Sequence, residues 1–369
     1  MVGTFVKELE IYSDSDNMPL SELDEVLSRL PCLRSLRIRH VVIPLCSKNE
    51  SLLGWKTPKS LEILDLQEVY FQSPGWSAKH PEEQVPSSAS AMPVQCSFVE
   101  LINLFAMVNE FTLMNTGFDW GRSTGTTYGR YWDNRRLAKI AASHILPSFR
   151  VEKIVTSVGD GGPSNIYSNG DILRVFGESA NMTGLRRLDT WDLEPVNHDF
   201  LWDVGHALTY LHLRFDPICE SLQRKDEYGI GYCTSLENLK ISVTMDLGIE
   251  ETSKESRLYS YAHLLNIVTN SPMSMETLVV NLEYDSIDRD KHLGTTYFRG
   301  LKWNAMDSVL ASHEALEKVT FVFLGGETRM SPNFEEEMSL VKTMLPRLTK
   351  KKILHCVGFL CYQLFLQAG

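Results

Sequence analysis

The residue types able to do chemistry are gathered in two places in this chain. The more unusual is Trp120-Gly121-Arg122-Ser123-Thr124-Gly125-Thr126-Thr127-Tyr128-Gly129-Arg130-Tyr131-Trp132. Glycines beside serine and threonine would suit a loop wrapped around a phosphate. The lysine and the spacing of Gly-x-x-x-x-Gly-Lys-Ser/Thr are absent, however, so a nucleotide site is not expected. A polar loop from 119 to 134 carrying Trp120, Arg122, Tyr128 and Trp132 suits a partner contact, or an ordered loop whose aromatics join the core. Both readings stand. The second concentration is Arg187, Trp191, Tyr210, His212 and Arg214, with Asp189 among them. Aromatics with arginine are the usual anchors of a protein interface. The plainer reading is a decorated sheet face on which Asp189 pairs Arg187 or Arg214.

Other chemistries find no pattern. The ten histidines are scattered without a His-x-x-x-His pair, so no metal site is expected. There is no Gly-x-Ser-x-Gly elbow to raise a serine nucleophile. Asp and Glu residues are plentiful but none stands out as a catalytic pair. The expectation is a non-enzymatic chain without cofactor or metal.

Bulk properties narrow the partners. The chain has 369 residues, a formal charge of -11 and 43% hydrophobic residues. That composition folds, and its acidity argues against a nucleic-acid surface, which shows a basic stripe. Seven cysteines, an odd number at irregular spacing, read as free thiols in a reducing compartment. Met1 to Thr4 lead straight into a strand pattern, so no signal peptide is expected. The apolar tail from 353 to 366 is too short for a membrane span. The expected location is intracellular, cytoplasmic or nuclear, with no membrane or nucleic-acid partner.

Positioning of these residues rests on a recurring six-residue phrase, apolar-x-x-apolar-x-apolar. It reads Val6/Leu9/Ile11, Leu33/Leu36/Ile38, Leu61/Leu64/Leu66, Val108/Phe111/Leu113 and Val151/Ile154/Thr156. It continues at Leu185/Leu188/Thr190, Leu208/Leu211/Leu213, Leu236/Leu239/Ile241, Met275/Leu278/Val280 and Leu316/Val319/Phe321. A phrase repeated at intervals of roughly 20 to 50 residues marks one supersecondary unit stacked many times. Helical stripes precede many copies: Leu20/Leu23/Val26/Leu27/Leu30 is the clearest. Ser97-x-x-Glu100 and Asn333-x-x-Glu336 look like capped helix starts over 98–108 and 334–345. Helix alternating with strand implies an α/β fold with a parallel sheet.

Alternation along a strand sends the fourth and sixth positions of the phrase to the core. The third, fifth and seventh then line an open, solvent-facing surface. The second concentration of reactive residues occupies those positions in two neighbouring units. Glu10, Arg37 and Asp65 share the fifth position in three successive units, so cross-strand charge pairing is expected. Thr156 and Thr190 break the apolar rule at the sixth position. No stretch reads as an interdomain linker.

The phrases "SLEILDLQEVYF" at 60–71, "SLENLKIS" at 235–242 and "LPRLTKKKIL" at 345–354 resemble leucine-rich-repeat proteins, and more narrowly the divergent fungal F-box/leucine-rich-repeat-like group. The resemblance implies a curved solenoid of about ten irregular helix–strand units with a parallel concave sheet over 1–369, in which 334–369 forms a helix/strand cap. It implies a protein–protein interaction module, the substrate-recognition part of an F-box-type ubiquitin-ligase receptor. An α/β enzyme using the 119–134 loop, and a structural scaffold or decayed paralogue, are the alternatives. Two features depart from the pattern. The ninth position carries Val41, Val69, Thr116 or Leu193 where the regular repeat has Asn or Cys, and an apolar residue there should be buried. No F-box segment is read in this chain, so a cullin adaptor is expected only if one lies upstream.

Overall fold

The structure is a computed structural model describing residues 5–12, 17–45, 58–72, 96–118, 134–157, 166–191, 195–215, 229–246, 251–285, 301–325 and 334–360. The chain forms two compact units, Met1–Arg187 and Leu188–Gly369. The fold is α/β. Eleven strands are ordered as they occur in the chain, with helical segments between many of them. Strands that pair in parallel need such crossovers, because a tight hairpin cannot reverse the chain twice.

The first unit contains β1 (Glu8–Tyr12), β2 (Ser35–Arg39), β3 (Val42–Ile43), β4 (Lys59–Gln67), β5 (Tyr70–Phe71), β6 (Phe105–Met114), β7 (Gly117–Phe118) and β8 (Arg150–Ser157). The parallel pairs β1–β2, β2–β4, β4–β6 and β6–β8 keep the register of the phrase. Leu36 pairs Leu64, Leu64 pairs Phe111 and Phe111 pairs Ile154, so fourth position meets fourth position. All four are fully buried. A slip of one residue would turn this apolar row outward, which fixes the pairing. Thr156 is buried too, so the register outweighs its hydroxyl.

At the end of β2, β4 and β6 the chain turns through His40, Glu68 and Asn115, each left-handed at φ 53°, 53° and 48°. Such a conformation costs a residue with a side chain roughly 1–2 kcal/mol. Beyond these turns the ninth-position residues Val41 and Val69 are buried, as their apolar character implied, and the polar Thr116 is buried with them, whereas Leu193 lies outside the described residues. The chain then forms β3, β5 and β7, which make a separate three-stranded sheet. Strands of two residues carry too little pattern to be read from sequence.

Helices cover these strands. In α1 (Leu20–Ser28), Leu20, Leu23 and Leu27 are buried at helical spacing, whereas Val26 is exposed. The helix expected over 98–108 is only α2 (Ser97–Ile102), because Phe105 already starts β6. The Ser97 side chain does not cap it. Its hydroxyl instead donates to Ile43 O at 2.8 Å and accepts from Gln72 N at 2.9 Å, binding the β3 and β5 segments to the helix start. With α3 (Asn134–Ala142) and α4 (Ile166–Gly177), the unit encloses an aromatic core. Phe98 and Phe111 each meet Phe176 edge-on at 5.4 Å, and Phe149 stacks on it at 6.1 Å.

The second unit begins one residue into β9 (Arg187–Trp191) and continues with α5 (Pro195–Val204), β10 (Tyr210–Phe215), β11 (Asn238–Asp246), α6 (Glu251–Asn270), β12 (Thr277–Asp285), α7 (Trp303–Ser312) and β13 (Lys318–Gly325). It closes with α8 (Phe334–Met344), α9 (Pro346–Lys351) and β14 (Leu354–Leu360). Leu211, Leu239, Leu278 and Val319 form the buried fourth-position row, paired strand to strand. Buried Asp307 accepts from the backbone N–H groups of Arg347 and Leu348 at 3.1 and 3.2 Å, closing the orphan donors at the start of α9.

Candidate functional site

The sheet surface opposite the apolar rows differs between the units. In the first it carries a charge ladder. Arg37 Nε donates to Asp65 Oδ2 at 2.7 Å and lies 3.7 Å from Glu10, which also pairs Arg39 at 3.0 Å. Lys153 pairs Glu110 at 2.8 Å in the same manner. Equal register places Glu10, Arg37 and Asp65 side by side, as expected from their shared fifth position, while Arg39 reaches Glu10 on the diagonal. The Arg37 guanidinium is held above its ordinary range, chiefly by its hydrogen bond to Asp65.

In the second unit the fifth positions of β9, β10 and β11 hold Asp189, His212 and Lys240. The seventh positions of β10, β11 and β12 hold Arg214, Ser242 and Asn281, paired as Arg214–Ser242–Asn281. Diagonal reach between the two rows creates a continuous hydrogen-bonded chain. Asp189 Oδ2 lies 3.0 Å from His212 Nδ1 and accepts from the Arg214 guanidinium at 3.2 Å. His212 Nε2 lies 3.0 Å from Ser242 Oγ, and Asn281 Nδ2 donates to Ser242 Oγ at 3.0 Å. A carboxylate only accepts, so Nδ1 carries the imidazole proton. Nε2 is then the acceptor for the Ser242 hydroxyl, whose oxygen in turn receives the Asn281 amide.

This surface is not open to solvent along its length, contrary to the expectation from alternation alone. His212 is 2% exposed, Ser242 4% and Asn281 7%. Tyr210, Lys240 and Arg214 are half-buried around them. Burial is affordable because each buried polar side chain has a partner. Burial also pushes the His212 imidazole below its ordinary value, against the opposing pull of Asp189. For Asp189, burial pushes the carboxyl up, but the hydrogen bond from His212 and the Arg214 guanidinium prevail and hold it down. Lys240 is lowered first by burial and then by Arg214.

Of the residues expected to bind a partner, His212 and Arg214 are brought together, both on Asp189. Tyr210 stands on the same strand, and Arg187 is exposed at the start of β9. Trp191 ends β9, but its side chain lies outside the described residues, as do Trp120, Arg122, Tyr128 and Trp132 entirely. Ser242, Asn281 and Lys240 escaped the sequence reading as site residues. Aligning the seventh positions would have set Arg214, Ser242 and Asn281 in one row.

Among the described residues no three His, Cys, Asp or Glu side chains converge to hold a metal ion, and no helix is long and apolar enough to cross a membrane. A groove lined by Leu258, Tyr261, Leu265, Asn266, Thr269 and Lys302 lies on the helical side and includes none of the network. No family model matches this chain, and no curated protein matches it.

Proposed function

We propose that this chain is a protein-binding module built as a leucine-rich-repeat-like solenoid, a repeat region of the kind that recognises substrates in F-box-type ubiquitin-ligase receptors. The observation that carries the reading is the common register. From β10 to β13 the fourth and sixth positions are buried and apolar, while the alternate positions vary from strand to strand. A scaffold that fixes one row and varies the next is suited to recognition by a composite surface. The half-buried Tyr210 and Arg214 are of the residue types that dominate interface energetics.

The test is affinity capture from cell extract with the wild-type chain and with Tyr210→Ala/Arg214→Glu. One protein recovered by the wild type and lost in the folded variant supports the reading. Equal recovery by both chains removes the β10 surface from it. Recovery of a cullin adaptor would extend the reading to the ligase.

A further inference from the structure

We propose that Asp189, His212, Ser242 and Asn281 form an acyl-transfer site that hydrolyses small carboxylic esters. The inference goes beyond partner binding and departs from the expectation of a chain without chemistry.

Geometry carries it. A nucleophilic serine needs a base on its hydroxyl and a carboxylate on the far side of that base. Ser242 Oγ lies 3.0 Å from His212 Nε2, and Asp189 Oδ2 lies 3.0 Å from His212 Nδ1. The three come from three successive strands, so rigid sheet backbone sets their spacing. The carboxylate fixes the tautomer that leaves Nε2 free to accept a proton. Asn281 supplies the fourth requirement, a donor for developing negative charge. Its Nδ2 is 3.0 Å from Ser242 Oγ, the atom that would bond the acyl carbon. To serve the acyl oxygen, the amide would turn from Oγ to that oxygen as the Oγ–C bond forms. A purely structural role for this row would be met by any pair of complementary groups. The directed order carboxylate, imidazole, hydroxyl is the order that activates oxygen.

The chemistry balances without another reagent than water. Ser242 Oγ attacks the ester carbon and forms the Oγ–C bond, and its proton passes to His212 Nε2. The C–O bond to the alcohol breaks, and the departing alkoxide takes the proton from His212. Water then attacks the acyl carbon while His212 takes its proton. The Oγ–C bond breaks, the proton returns to Oγ, and acid is released. Asp189 is a positioning residue throughout. Ser242 is only 4% exposed, so the proposal commits to the smallest acyl group, the acetyl ester.

The experiment is covalent labelling of the folded chain with a small fluorophosphonate, read by peptide mass, alongside p-nitrophenyl acetate hydrolysis. The expected result is one phosphonyl adduct on the Ser242 peptide, absent after unfolding in urea. Labelling and hydrolysis should fall about 100-fold or more in Ser242→Ala and in His212→Gln. Asp189→Asn should slow both, with partial recovery in Asp189→Glu. Circular dichroism confirms that each variant is folded. The comparison of folded with unfolded wild type stands even if a variant does not fold. No adduct on Ser242 in the folded wild type, or labelling that survives unfolding, overturns the proposal. Loss of capture in Tyr210→Ala/Arg214→Glu is read independently of this outcome.

Discussion

The side-chain oxygen of Asn169 accepts the backbone N–H of Thr116 at 3.0 Å. The ninth position of a regular repeat would hold an asparagine for such backbone bonds, and this chain has Thr116 there. An asparagine of α4 serves instead. Its Nδ2 donates to Ser157 O at 3.0 Å, and Thr116 Oγ1 donates to Leu66 O at 2.9 Å. Asn169→Leu strands a buried N–H at Thr116. It should lower stability by about 1–3 kcal/mol in urea unfolding. A loss under a few tenths would show that the bond is replaceable.

Removing one side of the charge ladder should cost more than removing both. Asp65 is 5% exposed and takes Arg37 and Gln67 on Oδ2, while Oδ1 has no hydrogen-bond partner among the described residues. Arg37→Met leaves that carboxylate underpaired and should destabilise by about 1–3 kcal/mol. Asp65→Leu in the same chain should recover much of the loss, because a desolvated charge disappears. Chemical denaturation of both variants measures the difference, and equal loss in the two would refute the account.

Acid should weaken the fold as the pH falls below the ordinary imidazole range. Burial is the leading cause that lowers both His212 and His263 below the ordinary imidazole value. Near His212, Asp189 opposes the shift while Lys240 and Arg214 add to it. The unfolded chain binds protons near pH 6.5 that the folded chain refuses. Stability is therefore complete above that pH and falls as pH drops through it, by up to about 1.4 kcal/mol per unit for each histidine. His263→Gln should flatten the slope. Unchanged stability between about pH 7.5 and 5.5 would contradict the buried, neutral state of both rings.

Phe176 is the ring on which the first unit's core converges, touching Phe98, Phe111 and Phe149. Phe176→Ala should cost about 3–5 kcal/mol, and Phe176→Leu much less. Thermal unfolding ranks the two variants, and similar losses would mean that the site collapses around the gap.

The parts of this fold that sequence discloses are those decided by burial period. Leu64 and Leu211 announce their strands because a two-residue alternation exposes a core face directly. The Glu10–Arg37–Asp65 ladder follows from shared phrase position alone. Chain direction at Glu68 is not disclosed, since glutamate does not favour the left-handed region, and the histidine at position 40 is only a weak signal for it. The end of α2 is also hidden: Leu101, Ile102, Leu104 and Phe105 are all buried, so period cannot separate helix from strand there. Ser242 and Asn281 are ordinary face residues until β10, β11 and β12 lie in register. Their chemistry belongs to neighbours that are distant in the chain.

Partners across the sheet stand 28 residues apart at Arg37 and Asp65, and 43 at Glu110 and Lys153. Strand spacing nonetheless stays near about 4.8 Å. The sheet works as a ruler whose graduations are strands and whose slack is stored off the scale. Doubling a connection costs only about 0.6 kcal/mol in closure entropy. Length variation and face variation can thus be inherited separately: a lineage can lengthen a connection without moving a side chain on the ruler.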